Sequence, residues 1–486
     1  MRLSPITPAL AGPHFNDRSN IAMAALTDGF RRIASLAGPK RLGLHSLGVA
    51  ALIASAACAA EPIDLDVGFG LNGTVYAPND APGSNNQDRT VAIFPIDFGD
   101  YIVVAETANA SGGVSPTFVR VTPTGVQSRN TVNLNVLGVN AACQDPASGG
   151  FVLGMHTTSS QGNGIEFRKY SAVGVQDMAF GASDGRFAYG AGRFERVAEM
   201  NCFSGRFNAA MWLGITDGDW TGYQIVQGPM SGGTLGFARL ISPSGSLTTR
   251  TLGSGGKDDG KVVFINELNE DNQPLAVEVL QYATTQLNPQ PSIATIAIGQ
   301  HCPLGSSSTV DKAHVDSLGR VHVAGSSTIS ATPVASGRKF NWLMQFNVTA
   351  TGTIAAVRCG TRTFATFSFA SIPPVTTNTV EAFEYSGQSI YVLTTLATGN
   401  LFLDTSTPQL LRFRDTDLAA DLSYLPALIT ASGNTTPMHR GRKLLLDTRP
   451  TITRLLIAGN REFQGTDEDP FVLRMIRAPM FANGFE

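Results

Sequence analysis

The chain has 486 residues, of which only 15% are charged and 51 are glycine, and its formal net charge at pH 7 is −3. An average soluble protein has about 25% charged residues and about 7% glycine, so this composition favours short strands and polar turns over long helices with charge pairs. Because the charge is balanced and no Lys- or Arg-rich run occurs, we expect neither nucleic acid nor an anionic membrane surface as a partner.

The first sixty residues are typical of an export signal with a leader. A basic pair precedes the mostly apolar stretch LGLHSLGVAALIASAACAAEP, which ends in small residues as secretory signal peptides do. We predict a disordered leader at 1–40, a signal peptide at 41–60 and cleavage after Ala60. Met23 is an alternative start that would shorten the leader.

The same stretch argues against a permanent membrane anchor. His45 and Ser46 interrupt its apolar run, so we expect no stable membrane span. The prediction is a secreted or periplasmic protein. Lipid anchoring at Cys58 ranks second, because Ser55 stands where a lipoprotein signal normally has Leu.

Two kinds of segment alternate after residue 85. One is a strand that ends in a small-residue step, and the other alternates apolar residues with Arg, Lys or Gln before a Gly turn. The first kind comprises YIVVAE (101–106), FVLGM (151–155), VHVAG (321–325), IYVLTT (390–395) and LLIAG (455–459). The second comprises FVRVTPTG (118–125), FRKYSAVG (167–174), FARLISPSG (237–245), LMQFNVTATG (343–352), LLRFRDTD (410–417) and FVLRMIRAP (471–479).

The spacing of the second kind indicates seven units of about 59 residues, provided that the long gap between 237 and 343 hides one unit with the strands PLAVEVLQY and IATIAIG. Four short strands in such a unit are what a β-propeller blade needs. The competing interpretation is two or three unrelated β-sandwiches. We predict an all-β, seven-bladed propeller with four-stranded blades over 61–479, followed by a C-terminal tail at 480–486.

Three segments resemble the bacterial delta-60 repeat: DLDVGFGLNGTV (64–75), GVQDMAFGASDGRF (174–187) and the eroded GSLTTRTLGSGGK (245–257). That pattern runs approximately Gly-x-Leu-Asp-x-x-Phe-Gly-x-x-Gly-x-Val and follows a strand that contains Arg. The matching residues are Asp66, Phe69, Gly70 and Gly73 in the first segment, Asp177, Phe180, Gly181 and Gly185 in the second, and Leu247, Gly253 and Gly256 in the third. DSLGRVHVAG (316–325) is similar to the other signature of the family. The resemblance implies an exported propeller-like protein and carries no activity over to this chain.

The first of these segments stands in an unexpected place. In this repeat type the Asp-x-x-Phe-Gly segment follows the Arg-containing strand and closes a unit, yet 64–76 has no unit before it and the last unit ends without such a segment. We therefore predict that 64–76 supply the missing outer strand of the last blade and pair with strands near 455–476. The N- and C-terminal strands would then close the ring.

Four cysteines remain after Cys58 leaves with the signal peptide, and in an exported protein they are expected to form disulfides. Four cysteines allow three pairings. Cys143 and Cys202 lie one unit apart in similar strands, as do Cys302 and Cys359. Equivalent positions of adjacent blades approach each other near the axis, so we predict Cys143–Cys202 and Cys302–Cys359.

Signatures of chemistry are scarce. Hydrolase motifs, a P-loop and a dinucleotide-binding glycine motif are missing, so we predict no catalytic residue and no cofactor. A loose group of possible metal ligands consists of His301, Cys302, His314, His322 and Cys359. Oxidised cysteines and histidines on hairpins explain this group without a metal, so none is predicted. The acidic turns at 216–220, 256–261 and 466–470 lack the calcium-loop pattern and suit solvated turns.

The strongest candidate for ligand contact is ITDGDWTGYQ (215–224). An aromatic ring beside carboxylates can stack on a sugar while the carboxylates accept hydrogen bonds from its hydroxyl groups. The candidate residues are Asp217, Asp219, Trp220 and Tyr223. The alternative is that Trp220 fills the seam between two blades.

These observations favour an exported, monomeric and non-catalytic propeller that serves as a binding or structural module for a protein, a glycan or a cell-envelope component. The alternative is a propeller hydrolase or lyase that acts on extracellular polysaccharide or ester substrates, with catalytic residues from several blades.

Overall fold

The structure is a computed structural model. It describes residues 63–71, 73–77, 87–96, 99–159, 162–181, 184–189, 194–214, 220–241, 248–268, 275–284, 291–305, 307–316, 318–329, 338–363, 375–386, 389–400, 403–420, 438–448, 454–463 and 467–477. The predicted leader, signal peptide and C-terminal tail lie outside these ranges. Within them, no helix is long and apolar enough to cross a membrane.

The described strands pair into seven antiparallel sheets, which confirms the predicted seven-bladed all-β propeller. The chain starts with β1 (Ile63–Leu65) and β2 (Thr74–Tyr76). Blade 1 follows with β3 (Asp88–Pro95), β4 (Tyr101–Ala108), β5 (Val114–Thr122) and β6 (Gly125–Thr131). Blade 2 has β7 (Gly138–Gln144), β8 (Phe151–Ser159), β9 (Gly162–Tyr170) and β10 (Arg186–Tyr189). Blade 3 has β11 (Phe194–Phe203), β12 (Arg206–Gly214), β13 (Trp220–Pro229) and β14 (Gly236–Ile241).

The second half of the chain repeats this order. Blade 4 has β15 (Thr248–Gly256), β16 (Lys261–Leu268), β17 (Ala276–Ala283) and β18 (Ser292–Ala297). Blade 5 has β19 (Ser307–Val315), β20 (Arg320–Ile329), β21 (Arg338–Val348) and β22 (Ile354–Thr363). The described part of blade 6 has β23 (Val375–Ser386), β24 (Ser389–Asn400) and β25 (Leu403–Arg414). Blade 7 has β26 (Met438–Asp447), β27 (Arg454–Phe463) and β28 (Asp467–Arg477).

The first strand of each blade is the innermost one, and these strands surround a common axis. Each lies beside the first strand of the next blade, and β26 of blade 7 lies beside β3 of blade 1. The third strands of blades 1 and 7 begin at residues 114 and 467, six repeats apart, which gives about 59 residues per blade as predicted. One segment was wrongly assigned: FARLISPSG falls on the outer strand β14, and the third strand of blade 3 is β13. The alternation of apolar residues with Arg occurs on outer strands too, so it could not separate the two.

Apolar side chains fill the seams between blades rather than one central core. In the seam between blades 1 and 2, for example, Val104 and Phe118 pack with Phe151 and Leu153. The second strands are therefore buried on both faces, as in 262–265 of β16, where every residue is fully buried. Apolar burial of this kind is the main stabilising term of the ring.

The first strands close the ring, as predicted. Strand β1 pairs with β28 from Ile63–Arg477 to Leu65–Met475, and β2 pairs with β28 from Thr74–Leu473 to Tyr76–Phe471. The Asp-x-x-Phe-Gly segment itself is a loop that leaves the sheet edge between β1 and β2, and not a strand. Gly70 is required there: its φ is +56°, and a Cβ would lie 2.3 Å from the carbonyl oxygen of Thr74.

This loop plugs the seam between blades 7 and 1. Phe69 is fully buried among side chains of both blades. The Arg474 guanidinium lies 4.2 Å from the Phe69 ring centre, and its Nε donates to the Asp66 carboxylate at 2.8 Å. The second copy is built in the same way, with Phe180 buried in the seam between blades 2 and 3. The Asp of the motif therefore pairs with a cation of the third strand, and the Phe fills the seam.

Both predicted disulfides are present. The Cys143–Cys202 bond joins the inner strands of blades 2 and 3, with a Cα–Cα distance of 5.3 Å. The Cys302–Cys359 bond has a Cα–Cα distance of 5.4 Å, but it joins the connection after β18 to the outer strand β22. This second bond does not lie near the axis, because that connection runs past the outer edge of the next blade. Two disulfides are typical of an oxidising, extracytoplasmic compartment.

Candidate functional site

Each inner strand carries a β-bulge at an equivalent position. The bulged residues, which are skipped in the pairing with the second strand, are Val91, Asn140, Ala198, Leu252, Asp311, Glu381 and Arg442. A bulge re-aims the neighbouring side chains and leaves backbone groups unpaired. Because the seven strands run in one direction around the axis, equivalent positions lie at the same level of the central channel.

Two residues before each bulge is a position that we call the entrance ring. Its members are Arg89, Gly138, Arg196, Arg250, Thr309, Thr379 and Arg440. Four of these seven residues are arginine, although arginine and lysine together are only 35 of 486 residues. One end of the channel therefore carries four guanidinium groups, and we call it the entrance end.

Some charges near the entrance ring have a structural role. Inner strands are edge strands, so backbone groups on their free side need partners. In three seams a side chain of the preceding blade accepts a hydrogen bond from the N–H of the residue before the bulge. These bonds run from Thr90 N to Asn460 Oδ1 (3.0 Å), from Val139 N to Glu106 Oε2 (2.8 Å) and from Val380 N to Asp311 Oδ2 (2.9 Å).

Three entrance arginines are likewise held by protein groups. The ion pairs are Arg89–Glu106 (2.6 Å), Arg250–Glu267 (2.7 Å) and Arg440–Glu381 (3.0 Å). Arg89 and Arg250 also donate to backbone carbonyls of the next blade, those of Val139 and Val310. The Arg440–Glu381 pair joins blades 7 and 6, whereas the other two pairs lie within one blade. The three guanidinium side chains remain 39–49% exposed.

Two further arginines have no such partner. Among the residues that the structure describes, the Arg196 side chain has no hydrogen bond or ion pair, and it is exposed. Arg442 is the bulged residue of blade 7, and its Nε is buried without a hydrogen-bond partner. Burial and the neighbouring charge of Arg440 lower the pKa of Arg442, while Glu381 acts in the opposite direction. A guanidinium without a partner in a partly desolvated place is favourably completed by an anion.

The residue directly after each bulge forms a second level, which we call the inner ring. It consists of Ala92, Ala141, Glu199, Gly253, Lys312, Ala382 and Lys443. Four members are Ala or Gly, so little of the space at this level is filled by their side chains and the three charged side chains can occupy it. Each of those three is only half-buried although it stands on an innermost strand, which means that solvent reaches it through the channel.

The register of β26 puts Lys443 at the level of the inner ring. Charges on four other blades act on it, which a group confined to one seam would not experience: those of Lys312, Glu199, Arg89 and Glu381. Desolvation first, and then the Lys312 charge, lower the pKa of Lys443 to about 8. The group is therefore half-protonated in mildly alkaline solution.

Two carboxyl groups near the channel are shifted in the opposite direction. Burial raises the pKa of Asp311 to about 6 and that of Glu384 to about 8, although backbone hydrogen bonds to both groups lower it. Glu384 therefore keeps its proton at neutral pH. Perturbed groups of this kind gather at functional sites, although structural networks produce them as well.

The other end of the inner strand of blade 5 carries a cluster of paired charges, in which Arg320 Nη2 and His322 Nδ1 are buried without a hydrogen-bond partner among the described residues. His322 is 1% exposed, and its Nε2 lies 2.9 Å from the Asp316 carboxylate. Arg320 pairs with Asp316 at 2.7 Å and with Asp415 of blade 6 at 2.8 Å. Each charged group has a partner of opposite charge in its own or the next blade. We therefore interpret this cluster as a contact between blades 5 and 6 and not as a ligand-binding site.

The predicted ligand loop is only partly described. Asp217 and Asp219 lie outside the described residues, so the structure does not test them. Trp220 and Tyr223 belong to strand β13 rather than to a loop, and only their backbone is described. The pairs Phe194–Gly214 and Gly214–Trp220 put the backbone of Trp220 at the entrance end of blade 3.

The five possible metal ligands are dispersed. Cys302 and Cys359 are bonded to each other, and His314 and His322 face each other as a cross-strand pair with ring centres 6.4 Å apart. Desolvation lowers the pKa of His314 to about 4, so its ring is neutral at pH 7. Within the described ranges, no three His, Cys, Asp or Glu side chains are arranged to hold a metal ion.

Sequence reasoning missed the entrance ring, although a signal was present. Arginine opens four segments that begin a repeat unit: RTVA at 89, RVAE at 196, RTLG at 250 and RGRK at 440. Alignment of the sequence on the repeat length would have placed these four arginines at equivalent positions. The bulge that puts the following residues at the channel has no sequence signature of its own, since the bulged residues range from Val91 to Arg442.

Comparison with known proteins gives a likeness of fold only. No family model matches the chain, and no curated protein shows significant similarity to it. Among solved structures, the polysaccharide lyase Uly1 is similar with 12% identity and a TM-score of 0.44 over 84% of this chain and 93% of that chain. The phage phi92 endosialidase has 9% identity and a TM-score of 0.41 over 85% and 70%. A protein of unknown function from Dyadobacter fermentans has 9% identity and a TM-score of 0.38 over 83% and 98%.

Proposed function

We propose that the protein is an exported, non-catalytic binding module that holds an acidic glycan at the entrance end of its channel. The observation that carries the proposal is the entrance ring with four arginines, together with the guanidinium groups of Arg196 and Arg442, which lack partners among the described residues. Ion pairs with glutamates account for the other three arginines of the entrance ring, whereas Arg196 and Arg442 have no such pair among the described residues.

The chemistry of the site favours carboxylate groups as the ligand's charges. Guanidinium is planar and binds a carboxylate through two parallel hydrogen bonds, and it is more weakly hydrated than an ammonium group. Arg196 of blade 3 and Arg442 of blade 7 stand on opposite sides of the axis, so they suit a polymer that presents several carboxylates. Trp220 begins a strand at the same end, which would allow an aromatic ring to stack on a sugar there.

A hydrolase or lyase remains the alternative function, because Glu384 is protonated at neutral pH and is chemically suited to act as a general acid. A glycosidase of the usual kind also needs a second carboxylate on the other side of the bond. Incubation with acidic polysaccharides and an assay for new reducing ends tests this alternative. Turnover that Glu384→Gln abolishes would replace binding by catalysis as the function.

Binding to immobilised polysaccharides tests the proposal. Wild-type protein is expected to bind polygalacturonate and not neutral dextran, with an affinity that falls as salt is added. Removal of Arg196 or Arg442 by substitution with Ala should weaken binding about tenfold or more, the value of one charge-assisted hydrogen bond. Arg129→Ala is the matched control, since Arg129 is exposed on the outer strand β6. Equal affinity in all four proteins, or equal binding to dextran, would contradict the proposal.

A further inference from the structure

The inner ring is a second charged level beneath the entrance ring. Its charged members come from three separated blades: Glu199 from blade 3, Lys312 from blade 5 and Lys443 from blade 7. Their equivalent register positions put the three residues at one level of the channel, and the charges of Lys312 and Glu199 act electrostatically on Lys443. Two ammonium groups and one carboxylate give the ring a net charge of about +1 when all three are ionised.

We propose that the inner ring is a subsite for a single uronic acid residue at the end of an acidic glycan chain. This proposal rests on the proposed function and names the part of the ligand that reaches the inner ring. The carboxylate of the sugar binds between Lys312 and Lys443, and a sugar hydroxyl group donates a hydrogen bond to Glu199.

The charges of the inner ring select this ligand class. The two ammonium groups attract an anionic group, while Glu199 repels a second anionic group and accepts hydrogen bonds, so the ring suits a ligand that has one carboxylate and a hydroxyl group beside it. Glu199 makes only one hydrogen bond among the described residues, at 3.5 Å from Ser254 Oγ, so it has capacity to accept a hydroxyl hydrogen. A uronate offers both groups, a carboxylate and several hydroxyls.

The arrangement of the inner strands determines which part of the glycan reaches the inner ring. Each of the seven described inner strands lies beside the next around the axis, so the inner ring is approached along the axis. A polymer therefore reaches the inner ring only by inserting a terminus along the axis. Gly253 marks how tightly the wall is built: a Cβ there would lie 1.9 Å from the carbonyl oxygen of Ala313 in the next blade.

The subsite couples binding to proton uptake. The charged groups that face Lys443 from the other blades are Lys312, Glu199, Arg89 and Glu381, and its own strand adds Arg440 and Arg442. A bound carboxylate would favour the protonated form of Lys443 and raise its pKa above the value of about 8 in the free protein. Binding near pH 8 therefore draws up to about half a proton from solution, and affinity falls as the pH rises further.

Isothermal titration with tetragalacturonate tests the inference. At pH 8, the binding enthalpy of wild-type protein should differ between Tris and phosphate buffers in proportion to the proton uptake. Lys443→Met should abolish this difference and weaken binding about tenfold, and Lys312→Met should weaken binding while leaving a difference. Lys261→Met is the matched control, because Lys261 pairs with Asp259 at the first residue of β16, outside the two rings.

The outcomes separate the two proposals. Arginine-dependent binding of polygalacturonate together with unchanged tetragalacturonate affinity in both channel lysine variants would overturn the subsite and leave the proposed function standing. Absence of tetragalacturonate binding by folded wild-type protein would also overturn the subsite. Loss of binding in Lys261→Met equal to that in Lys443→Met would do so too, since the effect would then be one of overall charge.

Discussion

Substitution of Phe69 by Ala tests whether the N-terminal loop closes the ring. Phe69 is fully buried in the seam between blades 7 and 1, and the Arg474 guanidinium covers its ring. Truncation of a buried Phe costs about 3–5 kcal/mol, and loss of the cation–π contact adds about 0.5–1 kcal/mol. With an unfolding entropy of about 2.1 cal/mol/K per residue over roughly 415 residues, about 4 kcal/mol lowers Tm by about 5 °C.

Differential scanning calorimetry is the assay, with two comparison variants. Leu71→Ala lies in the same loop but is 71% exposed, so its Tm should equal that of wild type. Phe180→Ala removes the same plug from the internal seam between blades 2 and 3 and should cost about as much as Phe69→Ala. A Tm for Phe69→Ala within 1 °C of that for Leu71→Ala would refute the role of the loop as a seam plug.

Two other predictions concern stability. In the native protein Glu384 keeps its proton up to about pH 8, whereas the unfolded chain releases it near the ordinary value of 4.5, so native stability falls between these two pH values. Glu384→Gln removes a free-energy cost of at most about 5 kcal/mol at pH 8, less where water reaches the carboxyl group, and should therefore raise Tm at pH 8 and leave Tm unchanged below pH 4.5. An equal effect at both pH values would contradict the raised pKa of Glu384. Replacement of both Cys302 and Cys359 by Ser opens a bridge across a sequence separation of 57 residues and should cost about 4 kcal/mol in chemical denaturation, and a cost below about 1 kcal/mol would show that the bond constrains little.

Much of the fold could be predicted from the sequence because the same pattern of residues recurs in several repeat units. The alternation in YIVVAE and FVRVTPTG identified the strands, and the unit length identified the blades. The disulfide pairs followed from equivalent places in neighbouring units. The position of the Cys302–Cys359 bond at the outer edge could not be predicted, because it depends on the path of the connection after β18 rather than on the repeat.

The resemblance to the delta-60 repeat stays an interpretation of the motif, but the structure gives the motif a physical basis. Asp66 pairs with Arg474 of the third strand, and Phe69 is buried between blades. This explains why the pattern joins an Arg-containing strand to an Asp-x-x-Phe-Gly loop. The eroded third copy does not form such a loop in its described part, because residues 248–256 are the inner strand β15 of blade 4. In the seam between blades 4 and 5 other apolar side chains, such as Trp342, are buried.

The candidate site was harder to predict. Trp220 attracted attention because aromatic residues beside carboxylates are conspicuous, whereas Arg196 and Arg442 are ordinary residues in ordinary strands. Their significance arises only when seven inner strands bring equivalent positions to one axis and ion pairs account for the remaining arginines. A single sequence does not show which cations already have partners.

Protection of arginines from chemical labelling tests the central claim most directly. Phenylglyoxal modification of the native protein, read by peptide mass spectrometry with and without polygalacturonate, reports which guanidinium groups the ligand covers. We predict that the polymer protects Arg196 and Arg442 and leaves the outer-strand Arg129 as reactive as before. Unchanged labelling of Arg196 and Arg442 under saturating polymer would contradict binding at the entrance end of the channel.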